Sequence, residues 1–175
     1  ETIADDATIT LLDPSNSFTG AITVATSGTE GDVSIDGGSV TGLDIAASTV
    51  GGDLSLLSGN ASGITDSGIL TVGGNLDATN NDNAGVIELN DLAVDGTIGV
   101  VTDGLGNATI VNDENVNFAA STVGGDLDAT ATTGNISQSD SIIVGLTTTF
   151  ETIADDATIT LLDPSNSFTG AITVA

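Results

Sequence analysis

The chain has 175 residues, of which 25 are Asp or Glu and none is Lys, Arg or His, so its formal net charge is −25. This charge argues against binding to nucleic acids and to anionic membranes, and no apolar run is long enough to span a membrane. Hydrophobic residues nevertheless make up 39% of the chain, which is too many for a disordered acidic chain. The composition predicts a folded acidic protein whose partners are cations or further copies of the same repeat.

Six segments along the chain share a pattern of an apolar residue, usually a glycine, and then alternating apolar and polar residues. Alternation with period two is typical of β-strands, and clusters of Gly, Asn and Asp between the segments predict turns. The segments begin about 25 residues apart, a spacing typical of repeat architectures. They are residues 18–24, 50–56, 72–78, 94–100, 123–129 and 144–150.

Alignment of the six segments produces columns of like residues. Inward columns of this kind predict an all-β fold, a parallel β-helix (β-solenoid) with about six coils per 150-residue repeat, in which each coil covers its neighbour. A chain of β-sandwich domains is the competing fold. The first inward column is Ile22, Leu54, Leu76, Ile98, Leu127 and Thr148, and the second is Val24, Leu56, Ala78, Val100, Ala129 and Phe150.

One outward column contains two carboxylates, Asp53 and Asp126, which the alignment separates by Asn75 and Thr97. Adjacent coils lie about 4.8 Å apart, so like charges in neighbouring coils would repel. The column therefore predicts that carboxylates are spaced along the stack. Thr148 interrupts the first inward column, and we expect its hydroxyl to bond to backbone.

The chain repeats itself at two levels. Residues 1–25 recur without change as residues 151–175, and "AASTVGGDL" occurs at 46–54 and again at 119–127. We therefore interpret residues 1–150 as one full tandem repeat of two diverged halves of about 75 residues each. Residues 151–175 are then the start of the next identical repeat. On this interpretation the sequence is an excerpt from a longer protein.

The segments "STVGGDL", "GNISQSDSIIVGLTTTF" and "DPSNSFTGAITV" resemble the repeat region of filamentous-haemagglutinin-type adhesins, which are giant proteins secreted by Gram-negative bacteria. The likeness extends over essentially the whole chain. It implies a right-handed β-helix, two-partner secretion through an outer-membrane protein, and a role in adhesion or biofilm. The sequence departs from that family in lacking Lys and Arg and in not containing the family's amino-terminal secretion domain.

No residues combine into a site with a recognisable reaction, so we predict no catalytic residue, no cofactor and no discrete metal site. The clusters at 80–83, 112–115 and 4–6 offer oxygen ligands for loosely bound Ca²⁺, but none matches an EF-hand. Paired carboxylates can hydrolyse glycosides, and a polysaccharide-cleaving β-helix is the alternative of another class. The Thr-rich stretches show no ladder of an ice-binding kind.

Three Asn residues lie in glycosylation sequons, Asn60, Asn107 and Asn135. Asn60 and Asn135 occupy equivalent "GN" turns of the two halves. Because Asn, Ser and Thr are abundant in this chain, such triplets also arise by chance. Glycosylation at these positions therefore remains open. The four Phe residues are predicted to fill the core.

The density of charge along the predicted rod is high. One 150-residue unit contains 21 acidic residues, and six coils would span about 29 Å, or about one charge per 1.4 Å. DNA has about one per 1.7 Å. The sequence thus predicts a structural, non-enzymatic repeat segment of a giant extracellular filament or adhesin stalk with a cation-condensing surface. The alternative is direct adhesion to a receptor or glycan through the flank.

Overall fold

The computed structural model describes residues 4–175, which form a parallel β-solenoid of about eight turns and contain no helix. The predicted fold class is confirmed. The strands of the described residues are β1 (Ile9–Leu11), β2 (Val33–Asp36), β3 (Leu43–Ile45), β4 (Ser48–Val50), β5 (Leu54–Ser58), β6 (Ile64–Asp66), β7 (Leu70–Val72), β8 (Leu76–Asn80), β9 (Ile87–Val94), β10 (Ile98–Thr102), β11 (Ala108–Asn112), β12 (Val116–Phe118), β13 (Ser121–Val123), β14 (Leu127–Ala131), β15 (Ile136–Gln138), β16 (Ile142–Val144), β17 (Thr148–Thr152), β18 (Ser167–Phe168) and β19 (Ile172–Val174).

The strands form two parallel sheets that face each other across the core. The first sheet has the order β1-β2-β5-β8-β10-β13-β16-β18, with β12 and β15 beside it. The second has the order β19-β17-β14-β11-β9-β6-β3, with β4 and β7 beside it. Each coil contributes to both sheets, so an inward residue is covered by the coils before and after it. No helix in residues 4–175 is long and apolar enough to cross a membrane.

The register of the strands sets the number of coils in a repeat. Ile9, Val33, Leu54, Leu76, Ile98 and Phe118 stack one coil apart, Val116 pairs with Ile136, and Ile136 bridges to Ile159. Residues 9 and 159, which are equivalent in the two copies, are therefore seven coils apart. The repeat thus has seven coils, one more than the predicted six. The sequence pattern misses the extra coil because strands such as β2 and β11 lack the leading apolar residue of the six segments; Thr29 and Gly104 occupy that position.

Equivalent strands of the two halves lie on opposite sheets, since each half makes three and a half coils. The motif at 46–54 places β4 in the second sheet, whereas its copy at 119–127 places β13 in the first. The predicted inward column is consequently two columns. Leu54, Leu76 and Ile98 stack in the first sheet, Leu127 and Thr148 stack in the second, and Ile22 pairs with Ile45.

The core is almost entirely aliphatic, with a short aromatic run toward one end. Phe118 and Phe150 are fully buried and meet edge to face with ring centroids 6.1 Å apart. Phe150 and Phe168 repeat that geometry at 6.0 Å. Phe18 and Phe168 are partly buried against the core. The prediction that the Phe residues fill the core is therefore confirmed for Phe118 and Phe150, whereas Phe18 and Phe168 pack against the core and stay partly exposed.

The two identical stretches occupy opposite ends of one stack. Strand β1 ends one side of the first sheet and β18 the other. Asp6 and Asp156, equivalent residues, both adopt left-handed backbone, with φ of 58° and 63°. Val24 is 4% exposed, because the next coil covers it, while its equivalent Val174 is 62% exposed. The same sequence is thus buried or exposed according to whether another coil follows it.

Candidate functional surface

A ladder of hydrogen bonds to side-chain oxygens connects the same corner of successive coils. The backbone N–H of Asp53 donates to Oδ1 of Asp32 (2.8 Å), that of Asn75 to Oδ1 of Asp53 (2.7 Å), and that of Thr97 to Oδ1 of Asn75 (2.9 Å). Turn N–H groups have no partner within a strand ladder and need one elsewhere. These acidic and amide side chains therefore act as structural acceptors between coils.

A second ladder runs along the equivalent turn on the opposite face. Oδ1 of Asn107 accepts the N–H of Asp126 (2.9 Å), and Oδ1 of Asp126 accepts the N–H and the hydroxyl of Thr147 (2.9 and 2.6 Å). The Thr147 hydroxyl, followed by the Thr147 N–H, lowers the pKa of Asp126, because both bonds favour the charged carboxylate.

The predicted outward column is therefore wrong in its order. Asp53 and Asp126 belong to different ladders, and Asp53 has a charged neighbour, Asp32, on one side and the uncharged Asn75 on the other. The alignment mixes the two faces, because the half-repeats have the same pattern on opposite sheets. In this turn the N–H bonds that the carboxylates accept offset their mutual repulsion, and no neutral residue separates Asp32 from Asp53.

Carboxylates do alternate with threonine along the outer face of the second sheet. Strand register places Asp44, Thr65, Glu88, Thr109, Asp128 and Thr149 in successive coils. With coils about 4.8 Å apart, the charged residues lie about 9.6 Å from one another. The predicted spacing of charge is thus present, in a column that the sequence alignment does not identify.

On the first sheet, the carboxylate of Asp77 is partly buried beside a glycine of the next coil. It pairs in register with Gly99, and a β-carbon at residue 99 would collide with Asp77 Oδ1. The carboxylate therefore lies over the glycine. Partial burial, followed by repulsion from Asp53, raises the pKa of Asp77.

Two of the clusters considered for calcium are corners of the solenoid. Asn80 is fully buried, accepts the N–H of Asp82 (2.9 Å) and donates to the carbonyl of Asn60 (3.1 Å). Asn112 is also fully buried, accepts the N–H of Val94 (2.9 Å) and donates to Asn115 O (2.7 Å). These amides close tight turns.

In the third cluster, the carboxylates of residues 5 and 6 accept bonds from Ser27 Oγ (2.9 Å) and the N–H of Glu30 (3.1 Å). Residues 1–3 lie outside the described part of the chain. Nowhere in residues 4–175 do three or more acidic side chains come together as they would around a metal ion. Loosely bound Ca²⁺ on the surface stays a prediction.

The three sequon Asn residues all serve as acceptors between or within turns. Asn60 Oδ1 accepts the N–H of Ser62 (2.8 Å), and Asn135 Oδ1 accepts that of Thr158 (2.8 Å). Asn107 belongs to the second ladder. Glycosylation at any of them stays an open prediction.

Thr148, which interrupts the inward column, has no bond of the expected kind. Its hydroxyl oxygen is buried and lacks a partner among residues 4–175. The expectation that this hydroxyl bonds to backbone is wrong. Corner residues elsewhere are better satisfied: Ser48 Oγ donates to Ala46 O (2.8 Å), and its equivalent Ser121 Oγ donates to Ala119 O (3.0 Å).

A groove of about 250 Å³ opens on the second sheet where β9 carries a bulge. The register between β9 and β11 shifts after Leu89, so two residues of β9 are displaced outward. Their N–H groups, at Asn90 and Asp91, both donate to the carboxylate of Asp66 (2.9 and 2.8 Å). The residues around the groove include Ile69, Asn90, Asp91, Val111, Asp113 and Thr132.

A related groove of about 310 Å³ lies on the first sheet, half a repeat away. Its residues include Asp36 and Gly38, which are the half-repeat equivalents of residues 111 and 113 in the first groove. The sequence does not predict either groove. The only signal is the pairing of Asp66 with residues one coil further along, and that pairing requires the fold to be known.

Comparison with known families bears on the half-repeats. A family profile described as repeats of unknown function, DUF5649, matches residues 30–102 and again residues 105–175. The chain belongs to this DUF5649 family. The two matches begin half a repeat apart, so one DUF5649 repeat corresponds to three and a half coils, after which equivalent strands change sheets. No curated protein and no solved structure matches the chain.

Proposed function

We propose that this chain is a structural repeat segment of a giant extracellular filament or adhesin stalk. The observation that supports the proposal is the placement of two identical 25-residue stretches at opposite ends of one stack, seven coils apart. A repeat built in this way extends a rod by a fixed length each time it recurs. The work of the segment is then reach and stiffness.

The corrected coil count changes the charge density only slightly. Seven coils at about 4.8 Å span about 34 Å. The 21 acidic residues of a repeat therefore amount to about one charge per 1.6 Å, close to the value of DNA. Such a rod holds a layer of counterions, keeps similar rods apart at low salt and attracts cationic partners.

The proposed location is the cell surface or the space outside it. The resemblance to filamentous-haemagglutinin-type repeats supports export and a place in adhesion or biofilm. Proposed partners are further copies of the same repeat, in the same chain or in neighbouring chains, and cations. Surface labelling of intact cells with an antibody against the repeat tests the location, and labelling only after lysis would contradict it.

The length of the rod tests the structural role. Chains with one, two and four copies of the 150-residue unit are compared by electron microscopy and small-angle X-ray scattering. We expect each added copy to lengthen the rod by about 34 Å without changing its width. A particle that widens instead, or whose length does not follow the copy number, would contradict the proposal.

The charged surface has a separate test. Light scattering is followed while Ca²⁺ is added or the pH is lowered below about 4, where the carboxylates become protonated. Because both treatments reduce repulsion between rods, we expect scattering to rise as rods bundle. A flat trace across both titrations would remove the proposed role of charge while leaving the length series unaffected.

The rival functions are adhesion through the flank and polysaccharide cleavage. The observation behind these rivals is the groove at β9, because two acidic residues, Asp91 and Asp113, line it. A glycosidase needs one carboxyl that is kept protonated, usually by burial, and both of these residues are exposed. Release of reducing ends from polysaccharides, lost in Asp91→Asn and Asp113→Asn, would establish cleavage.

A further inference from the structure

The groove at β9 combines an apolar floor with acidic edges. Ile69 is 57% exposed within it, and the half-buried Val111 and Ala93 extend the apolar surface. The carboxylates of Asp91 and Asp113 line the same groove. On this outer face an apolar concavity of this size departs from the pattern of threonine and single carboxylates.

The groove is formed before any ligand arrives. Asp66 accepts both displaced N–H groups of the β9 bulge, which holds that backbone in place. Thr132 Oγ1 lies 2.7 Å from the Asp113 carbonyl oxygen and 2.8 Å from Asp113 Oδ1, so it holds residue 113 against the neighbouring coil and donates its single proton to one of these two oxygens. Bulges commonly redirect side chains beside binding sites. A preformed groove spares the ligand the entropy cost of ordering it.

The lining selects a ligand with an alkyl stem and a cationic head. Apolar methylene groups gain from covering Ile69 and Val111, and an ammonium group gains from two nearby carboxylates. No Lys or Arg occurs anywhere in the sequence, so the chain cannot supply such a side chain from its own residues. The net charge of −25 also draws cationic molecules toward this surface.

We propose that this groove binds the lysine side chain of a partner polypeptide. Lysine suits it better than arginine, because a guanidinium fork prefers both oxygens of one carboxylate. At Asp113, Oδ1 lies 2.8 Å from Thr132 Oγ1, and this neighbour restricts access of a fork to both carboxylate oxygens. An ammonium group, with three rotatable donors, can serve two separate carboxylates. The proposal stands independently of the filament role, since a groove on any acidic rod would bind in the same way.

Nuclear magnetic resonance titration tests the proposal on the intact 175-residue chain. The probe is Nα-acetyl-lysine methylamide, and the signals followed are the methyl groups of Ile69 and Val111. We expect shifts confined to the groove, with weak saturable binding. Asp91→Asn and Asp113→Asn should each weaken binding by about three- to fivefold, which is the upper part of the range for exposed ion pairs.

Asp128→Asn provides the matched control, because it removes one carboxylate from the same sheet outside the groove. It should change the dissociation constant by less than about twofold. Shifts spread evenly over the acidic surface, or equal weakening by Asp128→Asn, would show only a general charge effect and would overturn the proposal. So would equal binding of the uncharged analogue Nα-acetyl-norleucine methylamide.

Two further probes identify the source of the ammonium group. A lysine-containing heptapeptide should bind at least as tightly as the free lysine analogue, and its arginine counterpart several-fold more weakly. Chitosan oligomers carry amino groups on a sugar. If they bind at the groove more tightly than the peptide, the site recognises a glycan, and the assignment to a polypeptide is overturned.

Discussion

Identical residues in different coils offer a direct test of the stacking. Val24 and Val174 share the same local sequence, and they are 4% and 62% exposed because only Val24 has a coil above it. Replacing each by Ala removes the same atoms from the same local context. Any difference between the two variants therefore measures the covering coil.

The expected difference can be estimated from burial. A buried methylene group contributes about 0.8 kcal/mol, so Val24→Ala loses about 1.6 kcal/mol in transfer and somewhat more from the cavity. We expect a loss of about 2 kcal/mol in total. Exposed substitutions usually change the free energy of unfolding by less than about 0.5 kcal/mol, and we expect this of Val174→Ala.

Urea unfolding followed by far-UV circular dichroism measures both variants, since the chain has no Trp or Tyr for fluorescence. Solenoids can unfold from their ends, so amide hydrogen exchange near residue 24 supplies a local free energy beside the global one. Equal losses in the two variants, or a larger loss in Val174→Ala, would refute the placement of coils along one axis.

Four other substitutions follow from single contacts. Thr148→Val should stabilise the chain by about 1 kcal/mol by removing a buried hydroxyl without a partner, with the outward Thr149→Val as control. Asn112→Ala should cost about 2 kcal/mol, because the bonds to Val94 and Asn115 are lost in the core, whereas the exposed Asn107→Ala should cost less than about 1 kcal/mol. Thr109→Asp should lower the free energy of unfolding by about 0.5–1 kcal/mol at low salt and by less in 1 M NaCl, because it places a third carboxylate between Glu88 and Asp128. The control Thr109→Asn should not show that salt dependence. The pKa of Asp77 is raised in the folded state, so the folded chain loses stability as the pH rises through that pKa and the carboxylate becomes charged. Asp77→Asn should therefore raise the urea midpoint at pH 7 but not at pH 2.5. An equal gain at both pH values would contradict this.

The strand pattern can be predicted from the sequence because its period is local. Leu54, Leu76 and Ile98 align in the sequence, and they stack in that order. The assignment of segments to sheets cannot be predicted in this way, because inward and outward positions alternate identically on both sheets. A segment such as Leu127–Ala131 therefore resembles the next member of the first column, although it lies across the core.

The groove is beyond sequence reasoning for a similar reason. It depends on Asp66 holding the backbone of residues 90 and 91, which lie one coil further on. An Asp that pairs with an Asn-Asp dipeptide in the next coil has no local signature. The acidic clusters that do have one, at 80–83 and 112–115, hold buried amides that close corners rather than cation ligands.

The half-integer number of coils in a DUF5649 repeat explains why the full period of the chain is two such repeats and not one. After three and a half coils a motif reappears on the opposite sheet, and only after seven does it return to the same one. Divergence between halves therefore makes the two faces of the rod different. Where one face has Asp113 beside its groove, the other has Gly38 at the equivalent position. A rod of identical 150-residue copies thus presents the acidic groove on one side only, once every seven coils, or about 34 Å.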